Sequence, residues 1–208
     1  MNRLQFITHQ NNKFDYLTGA KLALDGGCKW IQLRMKGAEE PHIIEVGTAL
    51  RRLCSEYQAT LIIDDRVDLV EKLDADGVHL GQKDMPIDEA RSLLGPNKII
   101  GGTANTIDEI QAHSDRGANY VGCGPFRYTT TKKNLSSILG LKGYIQLVSQ
   151  MQERDITIPL IAIGGITLRD IPAILSTGVF GIAISGAILD SKDPTEMTKE
   201  FINQINSK

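Results

Sequence analysis

The feature that most constrains this chain is a rhythm. Short runs of apolar and β-branched residues alternate with segments whose apolar residues stand three or four apart, and the cycle repeats eight times. The strand-like runs are Leu4–Thr8, Trp30–Arg34, Thr60–Ile63, Gly77–Leu80, Lys98–Thr103, Tyr120–Gly124, Pro159–Gly164 and Gly181–Ser185. Helical spacing shows in Ile43, Val46, Leu50 and Leu53, and again in Ile145, Val148 and Met151. Helix punctuation agrees. Gly26-Gly27 and Gly117 stand where helices stop, Thr106 with Glu109 forms a capping-box pattern, and Asp193-Pro194 opens a last helix. Eight such units in 208 residues suit a closed α/β architecture, a single-domain (β/α)8 TIM barrel over residues 1–208, near the lower end of that fold's size. An open doubly wound sheet carries the same alternation, but no G-x-G-x-x-G follows the first strand, and equal cycles favour closure.

Closure tells where to look for chemistry, at the carboxyl ends of the strands, and composition narrows what that chemistry acts on. The formal net charge of −2 arises from mixed charges without a basic run, so nothing here draws the chain to nucleic acid or an anionic membrane. The expected partner is a small molecule, with homo-oligomerisation left open. Three cysteines at irregular spacing with no CxxC pair argue against a disulfide framework and against a zinc site, and so for a reducing compartment. The opening MNRLQFITHQ lacks the apolar region of a signal peptide, and no apolar run approaches membrane-spanning length. A soluble, cytoplasmic protein is expected.

The stretch Leu61–Pro86 reads as strand, helix (Val67–Leu73), strand, with Asp64-Asp65 ending the first strand and Asp84 following the second. Parallel neighbours joined by a helix bring their carboxyl ends to one side of the sheet, so Asp65 and Asp84 face one another. Two carboxylates in an open site suit Mg²⁺ when phosphate oxygens and water supply its other ligands. The plainer alternative is that each Asp caps the helix that follows it, with Pro86 in a first turn.

In WIQLRMK, Gln32, Arg34 and Lys36 alternate with Leu33 and Met35, so period two points all three the same way. If Leu33 and Met35 face the helices, that way is into the barrel mouth, where two cations and an amide suit a phosphate ligand. The plainer readings are an amphipathic strand with a solvated face or an internal pair of Arg34 with a neighbouring carboxylate. After the sixth strand the loop CGPFRYTTTKKN offers Thr129, Thr131, Lys132 and Lys133 as oxyanion ligands, or as an ordinary exposed loop. IAIGGI and GIAISGAIL end the last two units, and Gly164, Gly165 and Gly186 there allow a ligand close to the backbone or simply make tight turns. His79, between apolar neighbours, reads as a satisfied core residue, and Cys123 as a small core residue. His9, His42 and His113 have no partners at ligand or triad spacing, and no nucleophile-elbow, H-E-x-x-H or P-loop pattern occurs. These residues describe a Mg²⁺-dependent barrel enzyme acting on phosphorylated, diphosphate-bearing small molecules.

Taken together and in order, QLRMK, IIDDRVDL, DGVHLGQKDMP, IIGGTANT, the TTTKK loop, IAIGGI and GIAISGAIL resemble the thiamine phosphate synthase (thiamine-phosphate pyrophosphorylase) family over nearly the whole chain. The resemblance implies a (β/α)8 transferase of thiamine biosynthesis that joins hydroxymethylpyrimidine diphosphate to a thiazole phosphate, releasing diphosphate. It implies Asp65 and Asp84 as Mg²⁺ ligands, and Gln32, Arg34 and Lys36, helped by Thr103 and Lys132, on the pyrimidine diphosphate. Arg34, Lys36 and Lys132 would be the catalytic cations. Thr129, Thr131, Gly165 and the backbone around Ser185 and Gly186 would hold the thiazole phosphate. Three positions depart from the family pattern. Asp64 stands where Asn is common, beside the diphosphate, and is open to ligating metal, staying protonated or binding through water. Tyr128 replaces a Pro, and Gly186 stands where Ser is usual, with Ser185 one place earlier. Two related readings remain: a thiazole tautomerase-like paralogue, which would have no use for the metal pair, and a regulator that binds thiamine phosphate without making it.

Overall fold

The computed structural model describes residues 2–128 and 137–207. Eight parallel strands close on themselves in chain order: β1 (Leu4–Ile7), β2 (Trp30–Leu33), β3 (Thr60–Asp64), β4 (Gly77–Leu80), β5 (Ile99–Ala104), β6 (Tyr120–Cys123), β7 (Leu160–Ile163) and β8 (Gly181–Ile184). The expected strands all form, β4 as expected and the others with one or both ends shifted by one residue. The seam is sealed by pairing of Leu4 with Ile182 and Phe6 with Ile184.

Alternation along each strand sorts side chains into two environments. Leu4, Phe6, Ile31, Leu33, Leu61, Ile63, Val78, Leu80, Val121 and Ile182 belong to the buried layer beneath the helices. The intervening residues Ile7, Trp30, Ile62, Tyr120, Ile161 and Ala183 pack with one another as a second, separate cluster, the filling of the barrel. Within it the fully buried Tyr120 is set edge-on to Trp30, with ring centroids 4.8 Å apart. Its ring occupies the space that a side chain at Gly101 would take, since a Cβ there would lie 2.2 Å from the ring. The same parity places Gln5, Gln32, Asp64, His79 and Thr103 in the cavity at the barrel mouth, above that apolar filling.

The outer helices follow the punctuation of the sequence. Gly26 caps α1 (Tyr16–Asp25), with Gly27 at φ 96° behind it. The Thr106 and Glu109 capping box opens α5 (Ile107–Asp115), and the Asp193 side chain accepts from Glu196 N at the start of α9 (Pro194–Asn206). α2 (Glu40–Glu56) buries Ile43, Val46 and Leu50 as spaced, with Cys54 rather than Leu53 completing the buried face. α6 (Gly140–Glu153) is rotated from expectation. It buries Tyr144, Leu147 and Met151, leaving Ile145 in solvent, because the Tyr144 hydroxyl donates 2.7 Å to Cys123 O and its ring stacks on Phe126. The remaining helices are short: α3 (Asp68–Lys72), α4 (Ile87–Leu94), α7 (Ile171–Leu175) and α8 (Gly186–Leu189).

Candidate active site

A cavity of about 320 Å³ opens at the carboxyl ends of the strands. One wall is charged. Gln32, Arg34 and Lys36, from β2 and the turn after it, all line the cavity, as do Asp64 and Asp65 at the end of β3. Gln32 Nε2 donates to Asp64 Oδ1 at 2.6 Å, Arg34 Nε lies 3.5 Å from Asp64 Oδ2, and Lys36 Nζ lies 3.0 Å from Asp65 Oδ2. Asp64 is almost wholly enclosed. Burial pushes its carboxyl up to about 7, and the Asp65 carboxylate pushes the same way against the pull of Arg34, Lys36 and Gln32. Two buried oxygens here have no hydrogen-bond partner, Gln32 Oε1 and Asp64 Oδ2.

Asp65 leaves the strand with φ 64°, a left-handed conformation that Asp tolerates better than most side chains. Its amide donates 2.8 Å to His79 O. The chain turns here, so that Asp64 and Asp65 both reach the mouth instead of opposite faces. Asp84, from the turn after β4, hydrogen-bonds Asp65 through its side chain and accepts from Gly81 N at 2.6 Å. Burial and the neighbouring Asp65 raise the Asp84 carboxyl, and the Gly81 N–H partly offsets them. Neither Asp65 nor Asp84 caps a helix. The residues at the starts of α3 and α4 are Val67 and Pro86, without side-chain caps, which overturns the capping alternative.

The cavity floor is a polar chain. Gln5 Nε2 donates to the Tyr120 hydroxyl at 3.2 Å, His79 Nδ1 stands 3.1 Å from the same oxygen, and His79 Nε2 stands 3.0 Å from Thr103 Oγ1. The opposite wall is backbone-rich. Gly164 (φ 94°) and Gly165 (φ 67°) turn sharply after β7, and a Cβ on Gly165 would lie 2.9 Å from both Arg127 O and Tyr128 O. Tight turning alone therefore requires these glycines, whatever else they do. Arg127 fastens this turn, donating to Gly165 O at 2.8 Å and pairing with Asp170 at 2.8 Å. Ser185 and Gly186 follow β8 into the same wall. Ser185 Oγ donates to Ile7 O at 2.6 Å, so it is no activated nucleophile.

Set against known families, residues 4–188 match the one described as thiamine monophosphate synthase. The chain belongs to this family. Its similarity to the thiamine-phosphate synthase of Bacteroides fragilis is 58% identity over 203 residues, 98% of this chain and 100% of that one. To that of Flavobacterium johnsoniae it is 47% over 207 residues, 100% and 96%. Among solved structures, the thiamine phosphate pyrophosphorylase of Pyrococcus furiosus superposes with a TM-score of 0.85 at 35% identity, covering 99% of this chain and 97% of that one. These relatives are synthases, which places the chain among transferase enzymes on a (β/α)8 barrel, as its motifs led us to expect.

Within this member of the thiamine monophosphate synthase family, the fold gathers Gln32, Arg34, Lys36, Asp64 and Asp65 on one wall, Thr103 at the floor, and Gly165, Ser185 and Gly186 opposite. Asp84 stands behind Asp65 rather than on the lining. Thr129, Thr131, Lys132 and Lys133 lie outside the described residues. Two histidines read as uninvolved are placed otherwise. His79 lines the cavity, because Val78 and Leu80 take the outward positions of β4; that alternation was the available signal. His9 pairs with Ser185 Oγ at 2.7 Å across 176 residues, which no local spacing reveals. His42 faces Glu45 at the surface, and His113 Nε2 lies 2.9 Å from Thr103 O. Cys123 is buried, its thiol pushed up to about 12 by burial first and Glu109 second. Among the described residues, no helix is long and apolar enough to cross a membrane, and no three His, Cys, Asp or Glu side chains gather as a metal site.

Proposed function

We propose that this chain is a thiamine phosphate synthase of the cytoplasm, acting on small molecules. It transfers the hydroxymethylpyrimidine group from its diphosphate to a thiazole phosphate, releases diphosphate and forms thiamine phosphate. The observation that carries this reading is that Asp65 lines one wall of the cavity beside Arg34 and Lys36, with Asp84 in contact from behind it, opposite a backbone-rich wall. A diphosphate suits the first wall and a single phosphate the second.

The donor set fits Mg²⁺. Two carboxylates in contact repel unless a proton or a cation lies between them, and Mg²⁺ takes one or two carboxylates together with substrate phosphate oxygens. Asp65 and Asp84 would hold it, and when bound it would neutralise charge on the leaving diphosphate. Arg34, Lys36 and Lys132 share that task as fixed cations, while Gln32, Asp64 and Thr103 hold the pyrimidine end. Thr129, Thr131, Gly165, Ser185 and Gly186 hold the thiazole phosphate. The methylene C–O bond breaks and its electron pair leaves with the diphosphate. The lone pair of the thiazole nitrogen then forms the C–N bond. No protein nucleophile enters, so alignment of two substrates and stabilisation of the leaving charge suffice.

The test is thiamine phosphate formation from the two substrates, with Mg²⁺ and with a chelator, for the parent chain, Asp65→Ala and Asp84→Ala. Expected are Mg²⁺-dependent product and a loss of roughly 100-fold or more in each variant. Melting temperatures should stay within a few degrees, since neither carboxylate caps a helix. A folded parent chain that makes no product would sink the proposal, and thiazole isomerisation would then be assayed.

A further inference from the structure

β1 and β8 are neighbours, and just beyond their paired residues the two chains are joined by side chains. The Ser185 hydroxyl spends its one hydrogen on Ile7 O, at 2.6 Å. His9 Nδ1 lies 2.7 Å from the same Ser185 oxygen. A carbonyl has no hydrogen to give and Ser185 has no second one, so the hydrogen in the His9 contact resides on Nδ1, and His9 is the donor. Ser185 Oγ is thereby held from two sides. It has no hydrogen left for a ligand.

His9 works from behind the cavity wall. Its neighbours Thr8 and Ser185 line the cavity, whereas His9 is absent from the lining and half-buried. On one side Thr8 Oγ1 accepts from the Arg34 amide at 3.1 Å, which ties the β1 end to the charged wall. On the other, Asp190 and Arg34 both act electrostatically on His9, and Asp190 Oδ1 is fixed by Asn11 Nδ2 at 2.8 Å. Asp190 Oδ2 would lie 3.0 Å from a Cβ at Gly186. The Ser185 hydroxyl thus joins the two strands, and Gly186 next to it is bare backbone beside a carboxylate.

We propose that His9 is a positioning residue for the phosphate-bearing acceptor. Through Ser185 it fixes the Ser185–Gly186 backbone, and so sets the affinity for thiazole phosphate without touching it. This rests on the proposed function, which assigns that backbone to the thiazole phosphate. A residue acting only there changes one substrate and spares the other.

The experiment compares the parent chain with His9→Leu, His9→Asn, Ser185→Ala and the His9→Leu/Ser185→Ala double variant. For each, the Kd for thiazole phosphate is measured by calorimetry, together with kcat and both KM values. In His9→Leu the Kd and KM for thiazole phosphate should rise about five- to twentyfold, the effect of one lost hydrogen bond, with the KM for the pyrimidine diphosphate within about twofold. His9→Asn, whose amide nitrogen can stand where Nδ1 stands, should recover most of that loss. The double variant should bind no more weakly than Ser185→Ala, because both changes remove one linkage. Melting curves confirm that each variant is folded. Equal changes for both substrates, no recovery in His9→Asn, or additive losses would each overturn the inference. A parent chain that binds and converts thiazole phosphate while His9→Leu matches it removes this inference alone. A parent chain that does neither removes the proposed function and this inference with it.

Discussion

Asp64 shows most directly how a single side chain is set by its surroundings. It is held by Gln32 and Arg34, yet its Oδ2 and the Gln32 Oε1 beside it are both buried without a hydrogen-bond partner. Once ionised, above about pH 7, the Asp64 carboxylate cannot donate to Gln32, so the pair then makes one bond where two amides could make two. Asp64→Asn is therefore expected to keep the bond from Gln32 Nε2 and supply a donor beside Gln32 Oε1. At about pH 8 and above it should raise unfolding free energy by about 1 kcal/mol, read from urea denaturation, with the gain shrinking as the pH falls below about 7. A fall in stability would show that the Arg34 ion pair outweighs the unpaired oxygens. The sequence made Asp64, Asp65 and Asp84 visible as a cluster because all three fall at strand ends. It could not separate their roles. That separation comes from the positive φ of Asp65, which breaks strand alternation and turns adjacent carboxylates toward one mouth, and a local conformation of that kind leaves no periodic trace.

At the scale of elements, the strands were legible because parity is a short-range signal, and the same parity explains both the success at β2 and the miss at β4. Gln32 and His79 are equivalent interior positions, each between apolar neighbours; Gln32 began an alternating series with Arg34 and Lys36, whereas His79 stood alone between Val78 and Leu80. Apolar neighbours in a barrel strand mark the outward face and so point the residue between them inward. The face of α6 was not legible, since Ile145 and Tyr144 both fit a helical stripe and only the reach of Tyr144 to Cys123 O decides between them. Interior packing has an equally sharp test at β5. A methyl group at Gly101 would enter the fully buried Tyr120 ring, itself wedged against Trp30 and bonded to Gln5 and His79. Gly101→Ala should cost about 1–3 kcal/mol of stability by overpacking, measured by urea unfolding. Because His79 shares the displaced ring, activity should fall with it. An Ala variant as stable as the parent chain would mean that the barrel filling is looser than these contacts imply.

For the whole molecule, the strand count predicted closure but not how the last strand is fastened to the first. β1 and β8 are four residues each and pair at three positions, and side chains reinforce this seam at both ends. At the amino end of the strands Arg3 donates from Nε to Phe180 O and from Nη1 to Ile205 O, both at 2.9 Å, binding β1 to β8 and to α9 together. At the carboxyl end the Ser185 hydroxyl bonds Ile7 O. The partners lie 177 and 202 residues apart for Arg3 and 178 for Ser185, so neither link could be read from local spacing. The two fasteners lie at opposite ends of the same seam, one far from the cavity and one on its wall, so they should separate stability from binding. Arg3→Ala leaves two carbonyls without their charged donor and should lower unfolding free energy by about 2–4 kcal/mol, with both KM values unchanged. Hydrogen exchange in β8 and α9 should quicken, since these are the elements that Arg3 joins to β1. Ser185→Ala should do the converse, costing less stability and weakening the acceptor phosphate. If Arg3→Ala altered substrate affinity as strongly as stability, the barrel would be transmitting strain along the seam, and its two ends could not be treated as independent devices.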